Sequence, residues 1–423
     1  MSFDTAVSGI KASSVSLGII GNNIANAGTT GFKTARGEFA DVFTTSLLGS
    51  ASDSAGKGVS VVGVNQSFSQ GNISLTNNVL DMAINGSGFF VLSNADGTKE
   101  YSRAGNFQVD RSGDVVNTSG SKLNVFKTTA AGAVTGELGL LNIDTSLIQP
   151  KATANVSILA NLDSRAVAPA VAWPALGFDA FAVPPTQPAP DMFNASTSAT
   201  IYDSLGNSHT QSFYFVKSAT QNQWDVNMLI DGVTVGTPST VTFQNDGTLA
   251  PASLPLQFNI AGWTPLDNAG IANGAAAQNL TIDMSDMSQY GNDFSVNNLN
   301  QDGYTTGQLR GVEVGDKGIM YARYTNGQSR ALGQIALANF SNLAGLQPLG
   351  STAWAETFAS GQPAISGPGS AGLGTVKSGA LEDSNVEVTQ QLVDMIVAQR
   401  NFQANAKVIQ TEDAITQTVM NMR

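Results

Sequence analysis

Gly21-Asn22-Asn23-Ile24-Ala25-Asn26-Ala27-Gly28-Thr29-Thr30-Gly31-Phe32-Lys33 closes an apolar helical stripe that opens the chain. Upstream of it, Phe3, Val7, Ile10, Leu17 and Ile24 recur at helical spacing, with the small residues Ser14 and Gly21 filling the same seam. The spacing predicts a helix over residues 2–27, with Ser2 as N-cap and Asp4 in the first turn, where the helix dipole favours a carboxylate. Ser13, Ser14, Ser16, Gly18 and Gly21 weaken that helix in isolation, so it needs a packing partner. The Asn- and Gly-rich run after Ile24 ends it.

A longer stripe occupies residues 384–423. Ser384-Asn385-Val386-Glu387 reads as a capping box, Ser384 at the N-cap and Glu387 at N3. Behind it Leu392, Met395, Phe402, Ala406 and Ile409 form one seam; Val393, Ile396 and Val397 widen it, and Val408, Ile415 and Val419 extend it. At about 1.5 Å per residue such a helix spans on the order of 55 Å. Its other face is largely amide, with Gln390, Gln391, Gln399, Asn401, Gln403, Asn405, Gln410 and Gln417. Two apolar helices at opposite ends of the chain point to a subunit that completes its packing on its neighbours. The plainer reading, an intramolecular two-helix stalk, still leaves the wide face of the second helix exposed, and patches of that size mark interaction sites.

Between the ends the pattern is strands and turns. From residues 71 to 144, Asn85-Gly86, Asp96-Gly97, Ser112-Gly113 and Ser119-Gly120 separate short apolar runs such as Phe89-Phe90-Val91-Leu92, the signature of hairpins. Residues 200–216 read as strand–turn–strand, and Asp231-Gly232 and Asp246-Gly247 continue the pattern to about residue 285. A further β block covers residues 302–361, with a hairpin at Asn326-Gly327. Residues 166–190, rich in Ala and Pro, read as a long loop or insertion.

Composition excludes several classes of function. The 423 residues carry 20 Lys and Arg against 32 Asp and Glu, a net charge of −12, and no basic run marks a nucleic-acid or anionic-membrane footprint. Only 12% of residues are charged, so Ser, Thr, Asn, Gln and Gly must build much of the surface, which suits an extracellular or self-associating protein. Cysteine is absent, which removes thiol catalysis and thiolate metal sites. His209, the one histidine, lies in a hairpin beside Ser208 and reads as a surface or turn residue. No nucleophile elbow or phosphate loop accompanies it, and the Asp-containing turns lack the distal Glu of a calcium loop. No catalytic residue, cofactor or metal site is expected. Met1-Ser2-Phe3-Asp4-Thr5 has neither the basic nor the apolar region of a Sec signal peptide, and no run approaches the ~20 apolar residues of a membrane span.

Ser8-Gly9-Ile10, the Gly21–Lys33 run, and Gln399-Arg400-Asn401-Phe402-Gln403-Ala404-Asn405 with Lys407-Val408-Ile409 resemble the two terminal motifs of the axial rod and hook proteins of the bacterial flagellum. Ala83-Ile84-Asn85-Gly86-Ser87-Gly88-Phe89-Phe90 and Tyr101-Ser102-Arg103-Ala104-Gly105-Asn106-Phe107 are common to that wider family. Asn161-Leu162-Asp163-Ser164 and Tyr202-Asp203-Ser204-Leu205-Gly206-Asn207 are similar to the outer domain of its hook members. The nearest alternative, a distal rod protein, shares the ends but lacks so large an insert. A secreted β-rich enzyme or adhesin would need a cluster of titratable residues that is missing.

The resemblance implies a mainly β, multi-domain fold with α-helical termini and nested β domains. Its parts would be terminal helices (1–27 with 384–423), a connecting segment (28–70 with 362–383), a middle β domain (71–148 with 287–361) and an outer one (149–286). It further implies a structural subunit that polymerises into a curved hollow tube, a flexible joint carrying motor torque, with hinges near residues 49–58 and 360–374. The expected assembly interface is Phe3, Val7, Ile10, Leu17, Asn22, Asn23, Ile24, Asn26, Gly31, Phe32 and Lys33, with Leu392, Met395, Ile396, Phe402, Ala406, Ile409 and Ile415. Implied partners are further copies, the distal rod, hook-cap and hook–filament junction proteins and a type III export apparatus. Nucleic acid and membrane insertion are not implied, and the implied location is extracellular, without a cleaved leader.

Overall fold

A computed structural model of the chain describes residues 2–42, 56–129, 132–315 and 317–421. The apolar stripes become α1 (Ser2–Ala25) and α2 (Val388–Asn421), which pack along one another. The Asn23 side chain meets Gln391, and a Cβ at Gly9 would lie 2.7 Å from Asn405, fourteen positions further along each helix in opposite directions. The helices are therefore antiparallel, and Gly9 lets them approach. Midway between those contacts stand Ser16 and Ala398, the latter the buried residue of α2. α2 starts three residues later than the capping box predicts: its first helical residue is Val388, not Asn385. Ser384 Oγ accepts from Val386 N at 3.3 Å in a local turn, while Asn385 is drawn into tertiary hydrogen bonds that hold residues 384–387 out of the helix.

By contact the chain divides into two units: Met1–Thr145 with Gly311–Arg323 and Ser329–Arg423, and Ser146–Arg310 with Tyr324–Gln328. In the first, the hairpin of β1 (Ala35–Asp41) and β2 (Val59–Gln66) lies along α1. The outgoing and returning chains then run side by side: Ile73–Leu75 pairs antiparallel with Ala380–Glu382, and Met82–Asn85 with Thr375–Ser378. Asn85-Gly86 is thus a bend between sheets, not a hairpin; its strand takes a partner some 290 positions away. Asp96-Gly97 and Asn326-Gly327 do close hairpins, with Gly97 and Gly327 at positive φ. Phe89, Tyr101, Phe340 and Trp354 pack edge-to-face in the core of this unit. Of the hinge expected over residues 49–58, residues 49–55 lie outside the described residues. The other is tied down: Ala364–Ser366 pairs with Leu337–Asn339, and Gly374 N donates to Ser87 O.

The second unit is a sandwich of two sheets, each five-stranded among the described residues, closed over Ile158, Leu162, Phe213, Phe215, Trp224, Leu280 and Ile282. Asn155–Asp163 pairs with Gln278–Asp283, Ser288–Tyr290 and Ser295–Gln301. The boundary expected at residue 286 therefore falls inside this sheet. Ser295-Val296-Asn297-Asn298-Leu299-Asn300-Gln301 has no clear alternation of polar and apolar residues to announce a strand. The Ala/Pro segment has no regular structure but is docked: Trp173 packs on Phe178 and Tyr214, and Phe178 exchanges hydrogen bonds with Thr234.

His209 is not a surface residue. It is 5% exposed, with Nδ1 2.6 Å from Asp231 Oδ2, Nε2 3.4 Å from Asp203 Oδ2, and its ring edge-on to Trp263. Burial pushes the Asp203 carboxyl up, but hydrogen bonds from Asn207, Asn273 and His209 outweigh it and hold the group at about 2. The Asp231 hydrogen bond, opposed by burial and assisted by Asp203, raises the imidazole above its ordinary value. A base whose folded pKa is raised stabilises fully below its unfolded value near 6.5, and that contribution is lost as pH rises through the folded value. The single histidine ring should therefore titrate above 6.5 by NMR. The chain should also lose more stability between pH 6 and pH 8 than a His209→Asn variant does. Equal losses, or a midpoint below 6.5, would contradict the ion-paired assignment.

Candidate assembly interface

The Asn- and Gly-rich run after α1 builds a junction. Asn26 Nδ2 donates to Asn22 O at 2.9 Å and its Oδ1 accepts from Thr29 Oγ1, which closes the helix end. Gly31 then takes φ 71°, and a Cβ there would sit 2.6 Å from Ala104 N, so this turn tolerates glycine alone. Its N–H donates to Glu382 O at 2.8 Å. Two residues on, Lys33 is fully buried, with Nζ 2.7 Å from Glu382 Oε1 and 2.8 Å from Ser69 O. Glu382, equally buried, also receives Gly71 N–H at 2.9 Å and Arg103 Nη1 at 3.1 Å. Arg103 lies over the Phe89 ring and donates to Gly86 O, while its Nε lacks a partner. Two cations thus share one carboxylate. Burial pulls both the Lys33 ammonium and the Arg103 guanidinium below their ordinary values, and Glu382 opposes that pull.

Amides carry the rest of the junction. Asn23, 1% exposed, pairs with Ala35 through both backbone groups (2.8 and 3.0 Å) and with Gln391 Oε1 at 2.9 Å. Asn385 Oδ1 accepts from Thr34 N and Oγ1, both at 2.7 Å, and its Nδ2 donates to Ser67 O and to Ser69. Three of the expected interface residues, Asn23, Gly31 and Lys33, are accordingly enclosed within the subunit and spent on internal bonds. Sequence reading missed their partners Glu382, Arg103, Asn385 and Gln391. The one local hint is a carboxylate following Ala380-Leu381 in an apolar strand.

The remaining expected residues divide by exposure. Val7, Ile10, Leu17, Ile24, Asn26 and Phe32 are half-buried, as are Met395, Ala406 and Ile409. Phe3 and Asn22 are exposed on α1. On α2, Leu392, Ile396, Phe402 and Ile415 are exposed, and Val393, Val397, Val408, Val419 and Met420 join them. The α1–α2 register sets Glu412 opposite Ser2, the first described residue, so Ile415, Val419 and Met420 lie on a stretch of α2 that α1 does not reach. Among the described residues no group of His, Cys, Asp and Glu could hold a metal, and no helix is long and apolar enough to cross a membrane.

Four family models match the chain. "Flagella basal body rod protein" covers residues 3–33 and "Flagellar hook protein FlgE/F/G D1 domain" residues 83–161. "Flagellar basal body protein FlaE D2 domain" covers residues 161–304 and "Flagellar basal body rod FlgEFG protein C-terminal" residues 377–422. The chain is 36% identical over 435 residues to the flagellar hook protein FlgE of Escherichia coli K12, covering 100% of each. It is 32% identical to that of Borreliella burgdorferi, covering 99% of this chain and 98% of the other. The crystal structure of the Helicobacter pylori flagellar hook protein FlgE2 matches 73% of this chain and 100% of that one, with a TM-score of 0.52 at 16% identity, a likeness of fold.

Removing one member of a buried ion cluster costs about 3–5 kcal/mol when it strands a charge. Glu382→Met strands two cations and should destabilise the first unit by that amount in chemical denaturation followed by hydrogen exchange. Lys33→Met leaves Glu382 paired with Arg103 and should cost less than about 2 kcal/mol. Equal costs for the two variants would remove Glu382 from its central place.

Proposed function

The chain belongs to the flagellar hook protein family, and on that premise we propose that α1 and α2 line the wall of a hollow, curved tube built from many copies. The protein is a structural subunit of the hook and not an enzyme, and the family polymerises into the hook at the basal body. Identity along the full length of hook proteins disfavours the rod alternative. One observation carries the tube reading: α2 presents Leu392, Val393, Ile396 and Val397 to solvent although α1 lies along that stretch, and Ile415 and Val419 beyond the reach of α1. A helix that stays apolar after its internal partner is in place has further surface to cover. Contacts that repeat head to tail without closing give an open helical polymer.

The amide and hydroxyl surface of the β regions suits contacts that exchange as a hook turns, because each costs little to break and few carry charge. This weakness supports a joint that bends while transmitting torque. Distal rod, hook-cap and hook–filament junction proteins would meet the ends of the tube, and a type III apparatus would export the subunit to the cell exterior. The expected interface then narrows to the exposed residues of α2 with Phe3 and Asn22 of α1, while the half-buried Met395 and Ile409 are assigned to the α1–α2 seam.

Ile396→Asp and Ile415→Asp should abolish hooks in electron micrographs while leaving the melting temperature of the subunit within about 2 °C, since exposed substitutions change stability little. Met395→Asp, at the seam, should lower melting as well. Normal hooks from both Ile396→Asp and Ile415→Asp would sink the proposal.

A further inference from the structure

The loop of residues 356–361 is tied down at nearly every polar group, yet its tip is an unprotected aromatic ring. Thr357 Oγ1 donates to Gly345 O at 2.6 Å and accepts from Ala359 N and Ser360 N. Ser360, fully buried, accepts from Thr357 N at 2.9 Å and donates back to Thr357 O at 2.9 Å. Asn342 Nδ2 holds Ala359 O from outside at 2.9 Å. The neighbouring carboxylate, Glu356, is engaged by the Tyr101 hydroxyl at 2.7 Å. On this frame Phe358 is fully exposed. A large apolar side chain held out on a preorganised loop has already met the ordering cost of binding, the usual condition of an interaction hot spot.

The same unit carries a matching depression. Val64, Phe68, Leu343, Leu346 and Pro348 supply the apolar walls of an open cavity of about 130 Å³ with a mixed polar and apolar surface. Gln66 also lines it, its Oε1 taken by Trp354 Nε1, and no charged residue does. A cavity of roughly 150 Å³ accepts benzene, so this one is sized for a phenyl ring. The exposure of Phe358 shows that the ring does not fill the cavity of its own subunit.

We propose that Phe358 of one subunit seats in the Val64–Phe68–Leu343 socket of a second copy of this chain, as a knob-and-socket contact between subunits. The inference rests on the assembly reading above. The area argues for a second copy within a polymer rather than a free-standing pair. One aromatic buries about 150–250 Å², far below the ~1,000 Å² of a stable separate interface. Such a contact persists only where many others accompany it, as between neighbours in a polymer. Knob and socket are both uncharged, so docking strands no ion.

The chain has no cysteine, which allows a direct test. In hooks isolated from cells producing the Val64→Cys/Phe358→Cys variant, oxidation should give a ladder of multimers beyond the dimer on a non-reducing gel, while each single variant stays monomeric. Phe358→Ala should speed dissociation of isolated hooks at fixed temperature by about tenfold, with Phe358→Leu intermediate and subunit melting unchanged. Intact hooks with no ladder, cross-links to a different protein, or an unchanged dissociation rate in Phe358→Ala would each overturn the proposal. If the parent chain forms no tubes at all, the assembly reading fails instead.

Discussion

A carboxylate without water must be matched by charge, and here Glu382 is matched from both ends of the subunit at once. Lys33 arrives from the segment after α1, Arg103 from the β core, and Glu382 itself from the strand that leads into α2. Fully buried ions cost several kcal/mol each to desolvate, so no arrangement that parts these segments is tolerable while the rest stays folded. The cluster therefore fixes register more than it adds stability. It determines where the chain leaving α1 meets the chain entering α2, and so how the two helices stand against each other.

From that fixed point the α1–α2 pair is completed by amides and small residues. Asn23 imitates a strand partner for Ala35 while reaching Gln391, and Asn385 bridges Thr34 to Ser67 and Ser69. Amides supply donors and acceptors at no cost in buried charge, which explains a motif so rich in Asn. Gly9 and Ser16 let the helices approach, so the apolar stripe of α2 is only partly used inside the subunit. The half-used stripe is what an assembling subunit must retain: enough contact to align the helices, with apolar surface left for the next copy.

Local chemistry was legible wherever one residue pair decides the backbone. Asp96-Gly97, Asp231-Gly232 and Asn326-Gly327 close hairpins because positive φ is nearly free at glycine. Asn85-Gly86 shows the limit: the same dipeptide is a bend, since Met82–Asn85 finds its partner at Thr375–Ser378. The Ser384 capping box failed for a related reason, as a tertiary demand on Asn385 outweighs a local cap. The Asn-rich strand Ser295–Gln301 and the docked Trp173 lack any periodic signal, because their partners are supplied by distant strands.

By itself the sequence determined the two terminal helices, the β body between them, the absence of thiol chemistry and the membership in a family of axial proteins. The helices, the β body and the lack of thiols follow from residue type and spacing along the chain, whereas the family was legible only through the resemblance of whole motifs to those of known proteins. Only the tertiary structure decided which polar residues are spent inside the subunit. Lys33 and His209 look like surface groups in sequence and are buried because Glu382, and Asp203 with Asp231, stand ready to neutralise them. Burial of a charge depends on a partner brought close by folding, and pattern along the chain carries no record of that distance.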